Sequence, residues 1–293
     1  MEILYDYPLY RPPSEANSMI FQVTLGCSFN KCSFCNMYRT KEYSERPWEE
    51  IKAEIDMAVK FYPDTRRVFL ADGDAINLPK DKMLQILQYL RLKFPKLERV
   101  SCYAMPMNLL KKQDDELKEM RATGLEMLYV GIETGSDVLL KKVTKGATYK
   151  TIVLACHKAK RNGYVLSCMV ILGLGGKTYT REHVVETARL LSETAPDYVG
   201  ALTLHLEEGV YEEFMSKFGE PFVPLDDIAL LKELEGLIAN FKPKTPVIFR
   251  ANHASNVYSI GGTMPDDRRK MLALIRNLKL HPEMLKPKLL RRF

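Results

Sequence analysis

Residues 19–35 read MIFQVTLGCSFNKCSFC, an apolar run followed at once by three closely spaced cysteines. The apolar part, 19–25, has the length and the residue types of a buried strand. Cys27, Cys32 and Cys35 then form a C-x₄-C-x₂-C pattern. A [4Fe–4S] cluster normally takes four thiolates, so three nearby cysteines would leave one iron open to a small molecule. A zinc site completed by a distant fourth ligand is the alternative, because C-x₂-C pairs also bind zinc.

The three remaining cysteines decide how the motif is interpreted. Cys102, Cys156 and Cys168 stand alone, and no pair of them has the spacing of a zinc ribbon or of a second cluster. We expect them to be buried small hydrophobes, since cysteine is among the residues most often buried. The sequence therefore favours one cluster over zinc.

Composition limits the class of protein. The chain has 293 residues, 46% hydrophobic and 27% charged, with a formal net charge of +6. No apolar run approaches the ~20 residues that cross a bilayer, and no signal-peptide architecture is present. We predict a cytoplasmic protein with reduced thiols and no membrane association. We expect the basic C-terminal residues to form a solvated tail rather than a nucleic-acid site; they are Lys286, Lys288, Arg291 and Arg292.

Short β-type runs alternate with helical stretches along residues 19–205. The predicted strands are 19–25, 66–70, 98–103, 127–131, 165–172 and 198–204. The predicted helices are 48–62, 79–94, 113–122, 148–161 and 180–194. This alternation is typical of repeated βαβ units and predicts an α/β fold, a partial (β/α)₆ barrel of the TIM type. We predict that 206–293 is an α-rich extension that caps the barrel: irregular over 206–224, helical over 225–240 and 265–280, with one strand near 246–250.

The cysteine loop resembles that of the radical S-adenosylmethionine (SAM) superfamily, in which C-x₃-C-x₂-C holds the cluster. Phe34, the aromatic residue before the third cysteine, also fits, whereas the first spacing is one residue longer here. The resemblance implies a [4Fe–4S] cluster on Cys27, Cys32 and Cys35 whose open iron binds SAM. The cluster of that family is oxygen-sensitive.

Two further segments follow the second and fourth predicted strands, at the end of the barrel where active sites lie. Asp72-Gly73-Asp74 stands where the family has a Gly-Gly-Glu segment, which implies contact with the amino group of SAM; an ordinary Asp-Gly turn is the alternative. Gly131-Ile132-Glu133-Thr134-Gly135-Ser136 resembles a segment of the methylthiotransferase-like and coproporphyrinogen-dehydrogenase-like branches. There Glu133 would bind polar groups of SAM, with Ser136 beside it. Lys145 matches a basic position of those branches and is assigned to the SAM carboxylate, or else is a solvated lysine.

A glycine-rich segment follows the fifth predicted strand. Leu172 and Gly173 are assigned by the resemblance to adenine contact. The segment is not a phosphate-binding P-loop, because its glycines and Lys177 miss the required spacing. The polar stretch 250–256 and His205 are assigned to the substrate end of the barrel, or else form a satisfied polar turn.

These assignments predict an enzyme that cleaves SAM to a 5′-deoxyadenosyl radical for hydrogen abstraction from an unidentified substrate. A reduced flavodoxin or ferredoxin would be its electron donor. Two alternatives remain: a non-catalytic iron–sulfur or zinc protein, and a methylthiotransferase-like RNA-modifying enzyme.

Overall fold

The computed structural model describes residues 4–291; Met1–Ile3 and Arg292–Phe293, including the predicted tail residue Arg292, lie outside it. Within that range the strands are β1 (Met19–Gln22), β2 (Thr24–Leu25), β3 (Ser44–Glu45), β4 (Arg67–Ala71), β5 (Arg99–Tyr103), β6 (Leu125–Glu133), β7 (Val165–Leu172), β8 (Tyr198–Thr203), β9 (Val247–Ala251) and β10 (Ile260–Met264). The helices are α1 (Trp48–Phe61), α2 (Lys80–Lys93), α3 (Pro106–Lys111), α4 (Asp114–Thr123), α5 (Asp137–Lys142), α6 (Tyr149–Arg161), α7 (Gly176–Thr194), α8 (Glu208–Phe218), α9 (Asp227–Asn240) and α10 (Arg268–Leu280).

The chain divides into two compact units. The first unit contains the residues up to Asn30 together with Met37–Val130 and Leu154–Leu166. The second unit contains Lys31–Asn36, Gly131–Val153 and the chain from Ser167 onward.

In the first unit, parallel strands form the ladder β1-β4-β5-β6. Met19 pairs with Val68, and Ser101 with Met127. The strands are apolar on both faces, as expected of a covered parallel sheet, and Phe21, Phe69 and Val100 are fully buried or nearly so. β2 and β3 make a separate antiparallel pair. This order brings the turns after β4 and β5 to the same edge of the sheet.

In the second unit, β7 pairs with β8 and β8 with β9 in parallel, while β10 returns antiparallel to β9. Helices α7 and α10 both pack on α9. Most buried residues of α9 are apolar, and they include Leu231, Leu234 and Ile238; Glu233 is a buried acid among them. That acid belongs to the site described below.

The fold class predicted from the sequence is confirmed: the protein is α/β with mostly parallel strands, and all six predicted strands are present. Two expectations for the C-terminal part were wrong. Residues 208–218, expected to be irregular, form α8, because Val210, Phe214 and Phe218 repeat every four residues and bury one face. The extension also contributes two strands, β9 and β10, of which only the first was expected.

Strand β10 was not predicted because it contains two glycines, and glycine is depleted in strands. A Cβ at Gly261 would lie 2.9 Å from Cδ of Arg250 on β9, and one at Gly262 would lie 2.6 Å from Cβ of Asp267. A side chain at 262 would clash with Asp267, and one at 261 would force the exposed Arg250 side chain to move.

The basic C-terminal segment is bound rather than solvated as far as Arg291. Its guanidinium donates to both carboxylate oxygens of Asp227, at 2.8 and 2.6 Å. Lys286 donates from Nζ to the Ala254 carbonyl at 3.0 Å. The expectation of a solvated tail is thus wrong for these two residues. Across residues 4–291, helices long and apolar enough to cross a membrane are absent.

Candidate cofactor site

Gly73, in the turn after β4, lies directly against the first cysteine of the motif. A Cβ at Gly73 would lie 3.0 Å from Cβ of Cys27 and 2.8 Å from the Tyr38 ring. The Gly73 N–H donates to the Gly26 carbonyl at 3.0 Å. The close approach at Gly73 is thus made to the cysteine loop itself, and a larger residue at 73 would displace Cys27.

The carboxylate of Asp72 closes this turn from one side. It is fully buried and accepts from the Gly26 N–H at 3.0 Å, from Lys41 Nζ at 2.9 Å and from Gln22 Nε2 at 3.1 Å. Burial raises the pKa of Asp72, and these donors act in the opposite direction. The three hydrogen bonds that Asp72 accepts are therefore all made within the first unit.

Asp74 closes the turn from the other side. It accepts from the Ser28 hydroxyl, from the Asn108 side-chain amide and, at 3.1 Å, from the Met105 N–H. Burial raises the pKa of Asp74 against these hydrogen bonds. The thioether of Met105, which sequence reasoning missed, lies 4.0 Å from the Cys27 sulfur. Because both carboxylates are occupied, the 72–74 segment offers chiefly its backbone to a ligand.

The second half of the cysteine loop belongs to the second unit. The Cys35 N–H donates to the Cys32 carbonyl at 3.1 Å, and the Ser33 N–H donates to the Val143 carbonyl at 3.0 Å. Between them, Phe34 packs against a buried apolar cluster formed by Leu139, Val143, Leu174, Phe214 and Phe218. Phe34 thus anchors the loop by burial, a role that its aromatic character allows without any cofactor contact.

Glu133 and Lys145, assigned separately from the sequence, form one ion pair in the second unit. Lys145 Nζ lies 2.7 Å from Glu133 Oε1, and the two residues are 6% and 7% exposed. Burial lowers the pKa of Lys145, but the charges of Glu133, Cys32 and Cys35 outweigh it and raise that pKa. The alternative of a solvated lysine is therefore wrong.

The ion pair depends on glycine at position 131 and on a left-handed backbone conformation at Glu133. Glu133 has φ = 59°, a conformation that few side chains adopt. A Cβ at Gly131 would lie 2.1 Å from Glu133 Oε1 and 3.0 Å from Lys145 Nζ. The Gly-x-Glu spacing is thus explained by packing: the Glu133 carboxylate folds back against Gly131, where a side chain would collide with it.

Residues 134–136 fix the end of this turn. Ser136 is the N-cap of α5: its Oγ accepts from the Leu139 N–H at 3.1 Å and donates to Glu182 at 2.5 Å. The Ser136 side chain, predicted to bind the cofactor, is fully buried in that capping role. Gly135 permits α7 to approach, because a Cβ there would lie 2.1 Å from the Glu186 carbonyl oxygen.

Leu172 ends β7, and Gly173 turns the chain with φ = 80°. The Gly173 N–H donates to Oε1 of Glu233 on α9 at 2.5 Å. Glu233 was missed by sequence reasoning, because an acid in an apolar helix gives no signal of which turn it will contact. His183 on α7 was also missed; its Nε2 lies 3.8 Å from the same oxygen of Glu233.

The six cysteines divide as the sequence predicted. Cys102, Cys156 and Cys168 are buried, whereas Cys27, Cys32 and Cys35 are half-buried thiols. Within the second unit the charges of Cys32 and Cys35 act on the buried ammonium of Lys145, and thiolates are the ligands that an iron–sulfur cluster takes. Over residues 4–291, the structure brings together no three histidine, cysteine or acidic side chains as ligands of a metal ion. The assignment of these cysteines as cluster ligands stays a prediction from the motif.

The polar stretch after β9 is only partly available to a substrate. Asn256 accepts from the Thr203 hydroxyl at 2.8 Å and donates to the Ala201 carbonyl at 2.7 Å, and Ser255 accepts from the Thr203 N–H at 3.0 Å. These bonds fasten the loop to the carboxyl end of β8. Arg250 is exposed and donates to the Phe249 carbonyl at 2.9 Å, while His253 is half-buried.

Comparison with known proteins places a family domain over these elements. The radical SAM superfamily profile matches residues 21–191. The heme chaperone HemW of Bacillus subtilis (strain 168) is 24% identical over 164 residues, 55% of this chain and 42% of that protein. The chain therefore spans less than half the length of this curated relative.

Two solved structures share the fold. Methylornithine synthase PylB gives a TM-score of 0.54 at 19% identity, covering 77% of this chain and 63% of the other. Coproporphyrinogen III oxidase HemN of Escherichia coli gives 0.56 at 16% identity, covering 76% and 51%. At these identities the likeness concerns the fold alone, and it supports the predicted partial (β/α)₆ barrel of the TIM type.

Proposed function

Because this chain belongs to the radical SAM superfamily, we propose that it binds a [4Fe–4S] cluster and SAM and abstracts hydrogen from a substrate. The observation that carries the proposal is the loop with Cys27, Cys32 and Cys35, which lies inside the matched segment. Its three thiols are half-buried, while the other three cysteines are buried. This difference in exposure supports the three loop cysteines as the candidate ligands, because a cluster is held by thiolates that it can reach.

The cysteine loop would hold the cluster, leaving one iron for SAM. When bound, the cluster supplies one electron to SAM, which yields methionine and the 5′-deoxyadenosyl radical that takes hydrogen from the substrate. The protein's own contribution is to keep the loop in place. Gly73 and the Asp74 network support Cys27, whereas Phe34 and the Val143 carbonyl support the segment with Cys32 and Cys35.

SAM would be bound by the turns after β4, β6 and β7. We assign the amino group to the backbone of Asp72–Asp74, since the two carboxylates there are already hydrogen-bonded. We assign polar groups of SAM to Glu133 and Lys145, which form a buried donor and acceptor pair. Leu172 and Gly173 would contact the adenine, because a turn without a side chain admits a flat ring.

The electron would come from a low-potential protein such as a reduced flavodoxin or ferredoxin, which we propose as the partner. A cytoplasmic location is proposed on the same grounds, because thiolate ligands persist where the compartment is reducing. The loop that contains His253 would face the substrate, since it is fastened at the carboxyl end of β8.

Anaerobic reconstitution tests this function. The protein is loaded with iron and sulfide, reduced with dithionite and incubated with SAM, and 5′-deoxyadenosine and methionine are quantified. We expect both products in equal amounts. The matched control is the variant with Cys27, Cys32 and Cys35 replaced by Ala, which should yield neither. A fully loaded wild-type protein that leaves SAM intact would contradict the proposal.

A further inference from the structure

A buried polar network in the second unit connects the turn after β6 with the turn after β7. Its members are Thr134 and Gly135 from the first turn, Gly173 from the second, His183, Thr180 and Thr187 from α7, and Glu233 from α9. Only Thr134 and Gly135 are neighbours in a sequence motif. The other members come from distant positions in the chain. The network therefore needs an explanation of its own.

Glu233 is the acceptor at one end. It is 2% exposed and accepts from the Gly173 N–H at 2.5 Å and from the Thr180 hydroxyl. A buried carboxylate is costly unless its oxygens are hydrogen-bonded. An apolar residue would serve packing better at this position, so the acid is explained by the backbone N–H that it holds.

His183 lies between Glu233 and the other turn, and its hydrogen bond is to that turn. Its Nδ1 lies 2.8 Å from the Thr134 hydroxyl, which itself accepts from the Ser136 N–H at 3.1 Å. The hydroxyl can therefore direct its own proton to Nδ1, which leaves the imidazole proton on Nε2. Nε2 lies 3.8 Å from Glu233 Oε1, too far for a hydrogen bond, and has no hydrogen-bond partner among the described residues, so the link to Glu233 is one of proximity and charge. Burial lowers the pKa of His183, against the charge of Glu233, and this favours the neutral ring.

Thr187 completes the contact with the first turn. Its hydroxyl accepts from the Gly135 N–H at 2.9 Å. Both turns are thus held through side chains of α7 and α9, and both have a residue with positive φ, Glu133 at 59° and Gly173 at 80°. Left-handed turns persist when their surroundings hold them.

We propose that Glu233 and His183 are positioning residues for SAM, which hold the two cofactor-binding turns in one fixed arrangement without contacting SAM. This inference rests on the proposed function, because it assigns both turns to SAM. Positioning by residues behind a site is worth a measurable share of affinity, since misplaced contacts lose their hydrogen-bond geometry.

The test compares two acids of the same helix. Glu233→Ala removes the acceptor of the Gly173 N–H, and Glu233→Gln keeps an oxygen for it. Glu235→Ala is the matched control, because Glu235 pairs with Lys279 and Arg276 on α10 and contacts neither turn. His183→Gln tests the contribution of the histidine that contacts the Thr134 hydroxyl. Each protein is loaded anaerobically with its cluster, and SAM affinity, melting temperature and amide exchange of residues 133–136 and 172–176 are measured.

We expect Glu233→Ala to weaken SAM binding roughly tenfold, the equivalent of one lost hydrogen bond to a charged group. It should also speed amide exchange at Gly173. Glu233→Gln should stay within about threefold of wild type, because it restores the acceptor. His183→Gln should weaken binding and speed exchange in both turns. Glu235→Ala should lower the melting temperature and leave SAM affinity unchanged.

Wild-type affinity in a folded Glu233→Ala protein would overturn the inference and leave the proposed function intact. Equal losses of affinity in Glu233→Ala and Glu235→Ala would overturn it too, because the effect would then follow global stability. If Glu233→Ala does not fold, Glu233→Gln and His183→Gln decide, and wild-type affinity and exchange in His183→Gln would refute the network. A wild-type protein that fails to bind SAM would contradict the proposed function first and this role with it.

Discussion

The turn after β4 and the turn after β6 both follow a buried parallel strand and both contain acids, yet they use these acids differently. Asp72 and Asp74 accept hydrogen bonds from the cysteine loop and from α3 of their own unit. Glu133 instead folds back over Gly131 and pairs with Lys145, twelve residues along the chain. Asp72 and Asp74 therefore act mainly in holding their own loop, with three accepted hydrogen bonds each. An acid paired with one lysine can rearrange together with its partner around a ligand that has both donors and acceptors.

The largest expected effect comes from the three cysteines of the cysteine loop. Replacing Cys27, Cys32 and Cys35 by Ala should reduce the iron content from about four per chain to none. Iron and sulfide analysis after anaerobic reconstitution measures this. The fold should survive, because these residues are half-buried, so the circular dichroism spectrum should be unchanged.

The control for the cysteines is the other set of three. Replacing Cys102, Cys156 and Cys168 by Ala should lower stability, because these residues are buried, but it should preserve iron binding. Unchanged iron content in the first variant, or its loss in the second with the fold intact, would reverse the assignment of ligands.

The second largest effect is expected at Asp74. Asp74→Ala leaves the Met105 N–H and the Asn108 amide without their acceptor in a buried place, so the free energy of unfolding should fall by about 2–4 kcal/mol. Urea denaturation of the apoprotein measures it. Asp74→Asn is the control and should lose less, since one oxygen remains. A stable Asp74→Ala protein would show that the acid does not close the turn.

At Glu133, in contrast to Asp74, we expect a larger effect on SAM binding than on stability. Glu133→Ala should weaken SAM binding by roughly 1–3 kcal/mol, because it removes charge-assisted hydrogen bonds. Calorimetry on cluster-loaded protein is the measurement. The same change leaves the buried ammonium of Lys145 unpaired, so stability falls as well.

The double variant Glu133→Gln, Lys145→Met separates the two effects at this turn. It removes both charges, so it should regain stability relative to Glu133→Ala while SAM binding stays weak. Restored SAM affinity in the double variant would show that Glu133 acts only through Lys145. SAM affinity at the wild-type level in Glu133→Ala would remove the residue from the site.

The six strands of residues 19–204 and the cysteine loop could be predicted from the sequence because their signals are local. Alternating apolar runs give the parallel strands, and three cysteines within nine residues give the candidate ligands. Gly131 was part of a recognisable segment, although its purpose, to admit the Glu133 side chain, needed coordinates.

The rest depends on contacts between distant positions. Met105 lies next to Cys27 from 78 residues along the chain, and Glu233 reaches Gly173 from 60 residues away. No periodicity encodes such pairs. Helix α8 is a different case, because its apolar repeat of Val210, Phe214 and Phe218 is present in the sequence.

The smallest effect is expected at an acid whose partner is purely structural, Asp227 with Arg291. The Arg291 guanidinium lowers the pKa of Asp227, against its partial burial. A carboxyl group with a lowered pKa stabilises the fold above its ordinary value of about 3.9, and this contribution is lost as the pH falls through the lowered pKa. At pH 7, Asp227→Asn should cost about 0.5–1 kcal/mol, because the pair is partly exposed.

Thermal melts from pH 7 down to acidic pH test whether the stabilisation by Asp227 is lost as the pH falls. The melting temperature of Asp227→Asn should lie about 2 °C below that of wild type at pH 7, and the gap should close below about pH 4. Asp226→Asn is the neighbouring control: Asp226 caps α9 by accepting from the Ala229 N–H at 2.8 Å, and asparagine caps equally well. SAM affinity should be unchanged in both variants, unlike in Glu133→Ala. A gap that widens as the pH falls would mean that Asp227 is not stabilised by Arg291, and a loss of SAM affinity would extend the cofactor site to the amino end of α9.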